Sequence, residues 1–323
     1  MRLLDRVAQC RTPFVVENRS TGRRTKLTGA ADSAELVAGC TLRYVLTDEL
    51  TRLCAALAYS KGARTLECAD LLHVPAERTW LEWCEAPWCE ELLGHGFPLR
   101  NEQIARIGRR GALLLASPDG RRGTVRTFWN TGPSDLDVQA SPMLAEFDMD
   151  AADDRSERDL LARCFRFRLD GAWDEYYSEA GLSRDARAAI ETYYLGAVAV
   201  DLPLVLSFLL LLAARSTLVQ RPQCVGKLNR SRLRRGEEPL LDHIEVRAPF
   251  VPDYSGSTGG GRGLGGRRSP RLHHVRGHLV RRGHQLYWRV PHLRGTAHAG
   301  RVLSRTVTWT FDRAGIAERA AHM

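Results

Sequence analysis

The residues with the most chemistry in this chain stand in one run, RRSPRLHHVRGHLVRRGHQLYWRVPHLRG, from Arg267 to Gly295. Arginine carries a permanent charge on a planar fork of donors that matches phosphate. Histidine titrates near neutrality and can move a proton. In an extended strand, side chains alternate, so His274, Arg276 and His278 share one face and Val275, Gly277 and Leu279 the other. Beyond a turn at Gly283, Tyr287 and Arg289 alternate against Leu286, Trp288 and Val290, and His292 and Arg294 follow. Cationic, hydrogen-bonding and stacking groups on a sheet are the equipment of a phosphate- or RNA-binding surface. The expected contacts are Arg276, His278, Arg281, Arg282, Tyr287, Arg289, His292 and Arg294.

Three other chemistries compete for the histidines. As metal ligands, His273, His274, His278 and His292 lack a nearby carboxylate or cysteine to complete a site, so no metal is expected. As a metal-independent ribonuclease, His278 and His292 would serve as general base and acid while Arg276 or Arg289 stabilises the charged transition state. In a purely structural role, the same side chains would knit loops by bonding backbone carbonyls. Binding needs the least special geometry and is the leading expectation; catalysis stays open beside it.

Other motifs carry little. The chain has no Walker A loop, nucleophile elbow or H-E-x-x-H. A formal G-x-G-x-x-G at Gly261, Gly263 and Gly266 sits inside a glycine-rich segment with no strand feeding it and Pro270 soon after, so no helix opens there to hold a pyrophosphate. The acidic stretch Glu146 to Asp159 lacks the glycine and closing glutamate of a calcium loop, and reads as a loop entering a helix over Ser156 to Phe167. No cofactor is expected. Trp80, Trp83 and Trp88 read as packed core, with an aromatic surface as the alternative. Lys227 to Gly236, KLNRSRLRRG, is a basic helix end or a phosphate contact, with Leu228 and Leu233 as its apolar anchors.

The elements that must position these groups follow from composition and periodicity. The 323 residues are 44% hydrophobic and 26% charged, as in ordinary globular chains. From Arg221 onward there are 20 Lys/Arg against 7 Asp/Glu, while the rest holds 27 against 31, so the net charge of +9 belongs to one region. A GC-rich genome would raise arginine everywhere but would not remove acids from that region alone. Eight cysteines form no C-x-x-C pair, and the opening residues lack a signal-peptide h-region, which suits reduced thiols in a cytoplasm.

The pattern predicts an α+β fold: a mixed N-terminal region over 1–180, a helical segment over 181–236, and a basic antiparallel-β region over 237–323 interrupted by a glycine-rich loop at 255–266. In the first region Thr41 to Leu57 has helical spacing, Leu66 to Val74 and Thr79 to Trp83 read as strands, and Ala112 to Ala116 pairs with Thr124 to Trp129 as a hairpin. In the second, Ser183 caps one helix and Asp201 caps another, which together make a buried helical hairpin. The run Leu204 to Ala214 is shorter than a bilayer span and stops at Pro203 and Asp201, so a buried helix and no membrane is the expectation. Leu303 to Phe311 alternates as a final strand.

The stretches LNRSRLRRGEEPLLDHIEV, SPRLHHVRGHLVRR and YWRVPHLRG, over roughly residues 225–300, resemble a signature, VRGH…PHxRG, of uncharacterised proteins encoded by bacteriophages and prophages. The resemblance implies a mobile-element origin and a cytoplasmic setting, and assigns no catalytic residue. A phage-type accessory protein that binds nucleic acid is the expected function, with a toxin-like endoribonuclease, or a virion or host-protein interaction module, as alternatives.

Overall fold

The computed structural model describes residues 1–17, 22–59, 66–94, 108–132, 134, 137–153, 163–214, 218–248, 271–275, 278–289, 292–294 and 296–301. Among these the chain is an α+β fold with seven helices, a mixed nine-strand sheet and smaller sheets beside it. The helices are α1 (Leu3–Gln9), α2 (Ala34–Ala38), α3 (Asp48–Tyr59), α4 (Glu85–Gly94), α5 (Gly171–Glu179), α6 (Arg184–Ala213) and α7 (Gly226–Arg234). A first hairpin pairs β1 (Phe14–Glu17) with β2 (Arg24–Leu27). The large sheet is built from β3 (Leu42–Leu46), β4 (Arg78–Cys84), β5 (Arg109–Ala116), β6 (Arg122–Asn130), β7 (Val138–Ala140), β8 (Met143–Asp148), β9 (Phe165–Leu169), β10 (Val219–Gln223) and β11 (His243–Arg247). Its order is β10-β11-β3-β4-β5-β6-β8-β9, with β7 also on β6. Only β11–β3 and β3–β4 are parallel.

The sheet is covered on both faces, which is why its central strand β4, RTWLEWC, is an almost continuous buried run. Alternation sends Trp80 toward α1 and α2, where it meets Leu3, Leu4, Val37 and Phe128. Leu81 and Trp83 point the other way, into the larger core with Leu50 and Cys54 of α3 and Leu204 to Leu211 of α6. Trp80, Trp83 and Trp88 are therefore all core, as the burial habit of tryptophan suggested.

Two buried carboxylates tie the layers together. Glu82, 0% exposed, accepts the backbone N–H groups of Leu3 at 3.0 Å and Leu4 at 2.7 Å and pairs with Arg109. It thereby satisfies two donors that the start of α1 would otherwise leave open. On the opposite face, both oxygens of Asp201 accept from Arg110 at 3.1 Å, and Arg110 also pairs with Glu85 at 2.9 Å and lies 4.5 Å over the Trp88 ring. Burial pushes the Asp201 carboxyl up to about 6, with Arg110 opposing the shift. A buried charge is tolerable only when so matched.

Several sequence expectations change here. The two helices expected over Ser183 to Ala214 are one continuous helix, α6, so there is no helical hairpin. Ser183 does cap it, accepting from Ala186 N, but Asp201 is an interior residue whose carboxylate serves Arg110 rather than a helix end. Pro203 removes one interior hydrogen bond, a cost of about 3 kcal/mol, and the burial of Leu204 to Leu211 offsets it. As a single element, α6 is long and apolar enough to cross a membrane by length and composition, yet 61% of its most apolar window is buried inside the fold. Thr41 to Leu57 divides into β3 and α3, and Leu66–Leu71 is a 3-10 turn rather than a strand. Phe165 to Phe167, the end of the helix expected from Ser156, belong to strand β9; most of that expected helix, the glycine-rich loop and the strand over Leu303 to Phe311 lie outside the described residues. Strand β11 inserts between β10 and β3, so all three sequence regions contribute to one sheet.

Removing one member of a buried pair strands the other, at about 3–5 kcal/mol. Glu82→Ala is therefore expected to lose about that much unfolding free energy in urea titration; a loss below about 1 kcal/mol would contradict the assignment. Asp201 binds its proton more tightly folded than unfolded. Its contribution to stability is thus greatest below about pH 4 and is lost as pH rises through about 6. The stability of wild type relative to Asp201→Asn should fall across that window by up to about 3 kcal/mol. A rise instead would show that the ionised pair is the stabilising form.

Candidate nucleic-acid interface

The C-terminal strands are β12 (Arg271–Val275), β13 (His278–Arg282), β14 (Gln285–Arg289), β15 (His292–Arg294) and β16 (Thr296–Arg301). β13 and β14 form the hairpin expected around Gly283, whose φ of +59° suits glycine at the head of a two-residue turn. β12 lies between β15, antiparallel, and β16, parallel, so the terminal region is not purely antiparallel.

Register decides what the hairpin shows to each side. Leu279 stands opposite Trp288 and Arg281 opposite Leu286, so these four share one face. That face is turned inward: Leu279 and Leu286 are buried, Leu286 to 2% exposure, and Trp288 packs on the same core. The other face carries Val280, Arg282, Gln285, Tyr287 and Arg289.

Arg281 is the polar edge of the inward face. Its two terminal nitrogens donate to both oxygens of Asp70 at 2.7 Å, and its Nε donates to the Gly283 carbonyl at 2.9 Å. Hydrogen bonding to Asp70 pushes the guanidinium further up. The arginine expected to meet phosphate thus docks the hairpin onto the 3-10 turn Leu66–Leu71, with a bidentate geometry that lysine cannot copy. Beside this contact lies an open cleft of about 460 Å³ lined by Asp70, His73, Ala213, His284 and Gln285.

On the outward face, the Arg282 guanidinium lies 5.9 Å from the Tyr287 ring centroid, and the Tyr287 hydroxyl donates to Gln285 Oε1. Arg289 is exposed beyond them. Among the described residues, neither Arg282 nor Arg289 forms an ion pair. His278 is opposite Arg289 in the register, whereas His292 is opposite Val275 and Arg294 opposite His273, in a different sheet. The pairing therefore brings Arg282, Tyr287 and Arg289 together and does not join His278 to His292. Arg276 lies outside the described residues.

A second basic surface is α7, on the connection between β10 and β11. Lys227, Arg230 and Arg234 are exposed, form no ion pair among the described residues, and recur at the spacing of one helical face. The expected leucine anchors do not hold this helix: Leu228 is 48% and Leu233 60% exposed. Polar bonds hold it instead. Asn229 exchanges two 2.8 Å hydrogen bonds with the backbone of Leu240, and Arg232 Nε donates to the Glu238 carbonyl at 2.8 Å. Arg235 and Arg232 share Glu237.

Other reactive groups are quiet. None of the eight cysteines is in a disulfide, and burial pushes the Cys40, Cys89 and Cys164 thiols up to about 11, away from the thiolate that a nucleophile requires. Among the described residues no group of three or more His, Cys, Asp or Glu is arranged to hold a metal ion. Compared with protein-family models, curated proteins and solved structures, the chain matches none.

Asp70, His73 and His284 are the cleft residues that the sequence did not single out. Asp70 meets Arg281 across 211 positions, a pairing with no local signal. If this contact docks the hairpin, Arg281→Ala should speed amide hydrogen exchange across Gln285–Arg289, and Arg281→Lys should restore protection only in part. Unchanged exchange in the alanine variant would refute the docking role.

Proposed function

We propose that this protein binds nucleic acid, with the outward face of the β13–β14 hairpin as its contact surface. The observation that carries the proposal is the trio Arg282, Tyr287 and Arg289, which share the outward face: the Arg282 guanidinium lies 5.9 Å from the Tyr287 ring, and neither arginine forms an ion pair among the described residues. Arginine neutralises phosphate without sequence preference, and a tyrosine face stacks any base, so the trio suits a single strand better than a duplex groove. The Lys227, Arg230 and Arg234 face of α7 offers further phosphate contacts, and the surplus of arginine after Arg221 supplies a field that attracts a polyanion. The resemblance to phage-encoded proteins makes an infected bacterial cytoplasm the expected setting, with phage or host nucleic acid as the partner.

His278, His292 and Arg294, on strands β13 and β15, remain proposed contacts, as does Arg276, which lies outside the described residues. Arg281, bound to Asp70, contributes by holding the hairpin rather than by meeting phosphate.

The test is fluorescence anisotropy with labelled single-stranded RNA and DNA over a salt series. Affinity should fall steeply with salt, and Arg282→Ala with Arg289→Ala should flatten the log–log slope by about 1.4, or ~0.7 for each lost phosphate contact. Absence of binding at low salt would remove the proposal. An unchanged slope in the double variant would move the site elsewhere.

A further inference from the structure

Far from the hairpin, the fold builds a pocket of about 190 Å³ whose walls are aromatic. Phe14 of β1 and Trp173 of α5 stack at 5.5 Å and 27°, Tyr194 of α6 meets Trp173 edge-on at 6.1 Å, and Trp129 of β6 lines the pocket with them. The walls are fixed from behind. Trp173 Nε1 donates to the Thr28 carbonyl at 2.9 Å, and the Thr28 hydroxyl donates to Asp170 at 2.6 Å. Asp170 in turn caps α5 through Ala172 N at 3.2 Å and pairs with Arg126. Such buttressing lowers the ordering cost of a guest.

Size, shape and charge define the guest. A cavity of about 150 Å³ accepts benzene, so this one holds one ring or two fused rings. Its lining contains no Asp, Glu, Lys, Arg or His, in a chain that is 26% charged, so the guest is neutral. Aromatic walls favour a flat π-system. At the rim, Gln139 Oε1 accepts from Trp129 Nε1 at 2.7 Å, which steadies the amide and leaves its two N–H donors and a second oxygen lone pair. That donor–acceptor pair is the one glutamine uses to read the edge of adenine.

We infer that this pocket binds a purine base, with the mutually stacked Phe14–Trp173 pair as one aromatic wall and Gln139 reading the ring edge. The base can arrive free or as an unstacked residue of a single strand, since both present the same ring. The site stands apart from the proposed nucleic-acid surface: Tyr194 here and Ala213 at the hairpin cleft are 19 residues apart on one helix, about 28 Å.

Calorimetric titration of the full chain with adenine, and separately with oligo(dA) at about 0.5 M salt, which screens phosphate contacts, tests the inference. Phe14 is 40% exposed and Gln139 is exposed, so Phe14→Ala and Gln139→Ala leave the core intact. Saturable adenine binding, weakened at least about fivefold by each variant, supports a free-base site. Binding of oligo(dA) alone, with the same sensitivity, supports a base of a strand. Binding of neither ligand, or binding indifferent to both variants, overturns the inference. Because the high-salt arm and these variants leave Arg282 and Arg289 untouched, failure here is distinguishable from failure of the hairpin surface.

Discussion

Burial of Leu279, Leu286 and Trp288 against the main core sets which side of the C-terminal hairpin meets solvent, and an exposed ion pair between residues 211 positions apart, Arg281 and Asp70, joins its edge to the first half of the chain. A strand pair has two faces, and a slip of one residue would exchange them. Here the two-residue turn at Gly283 holds the register, Leu279, Leu286 and Trp288 give the inward face its apolar drive, and the bidentate contact ties its edge to Asp70. Everything proposed for the outward face follows from that choice, because Arg282, the half-buried Tyr287 and Arg289 face outward only while Leu286 is buried. One arginine of the basic cluster is thereby spent on architecture so that its neighbours can be displayed.

The large sheet supplies the platform on which this happens. Its central strand is buried on both sides, and each side has its own anchored carboxylate, Glu82 under α1 and Asp201 within α6. α6 runs across the molecule from the aromatic pocket at Tyr194 to the cleft at Ala213, so both candidate sites are referred to the same rigid element. Several acids of the first two hundred residues partner arginines there: Glu82 pairs with Arg109, Glu85 with Arg110, Asp150 with Arg121 and Asp170 with Arg126. Among the described residues after Arg221, Lys227, Arg230 and Arg234 of α7 and Arg282 and Arg289 of the hairpin are exposed bases.

Local features of this fold were legible in the sequence. The β5–β6 hairpin followed from apolar runs around Pro118-Asp119-Gly120, the β13–β14 turn from Gly283, and the start of α6 from Ser183, because each is decided by neighbouring residues. Long-range features were not. Asp201 and Pro203 together look like a helix start, and only Arg110, 91 positions away, makes Asp201 an interior residue. Strand β11 is short and half-polar, and its place beside β3 depends on a parallel pairing no local pattern encodes. At α7 the inference from leucine to anchor failed because Asn229 and Arg232 reach backbone groups first. In the candidate site, alternation correctly separated Tyr287 and Arg289 from Leu286 and Trp288, but treated Arg281 as a binding residue since its partner lay out of sight.

The most direct measurement is ultraviolet crosslinking of the full chain to uridine-rich single-stranded RNA, with the adducts mapped by mass spectrometry. The account predicts that Tyr287 and the peptide spanning Gln285–Arg289 carry the principal adduct, and that excess unlabelled strand abolishes it. Adducts confined to the N-terminal half, or none on β14, would contradict it.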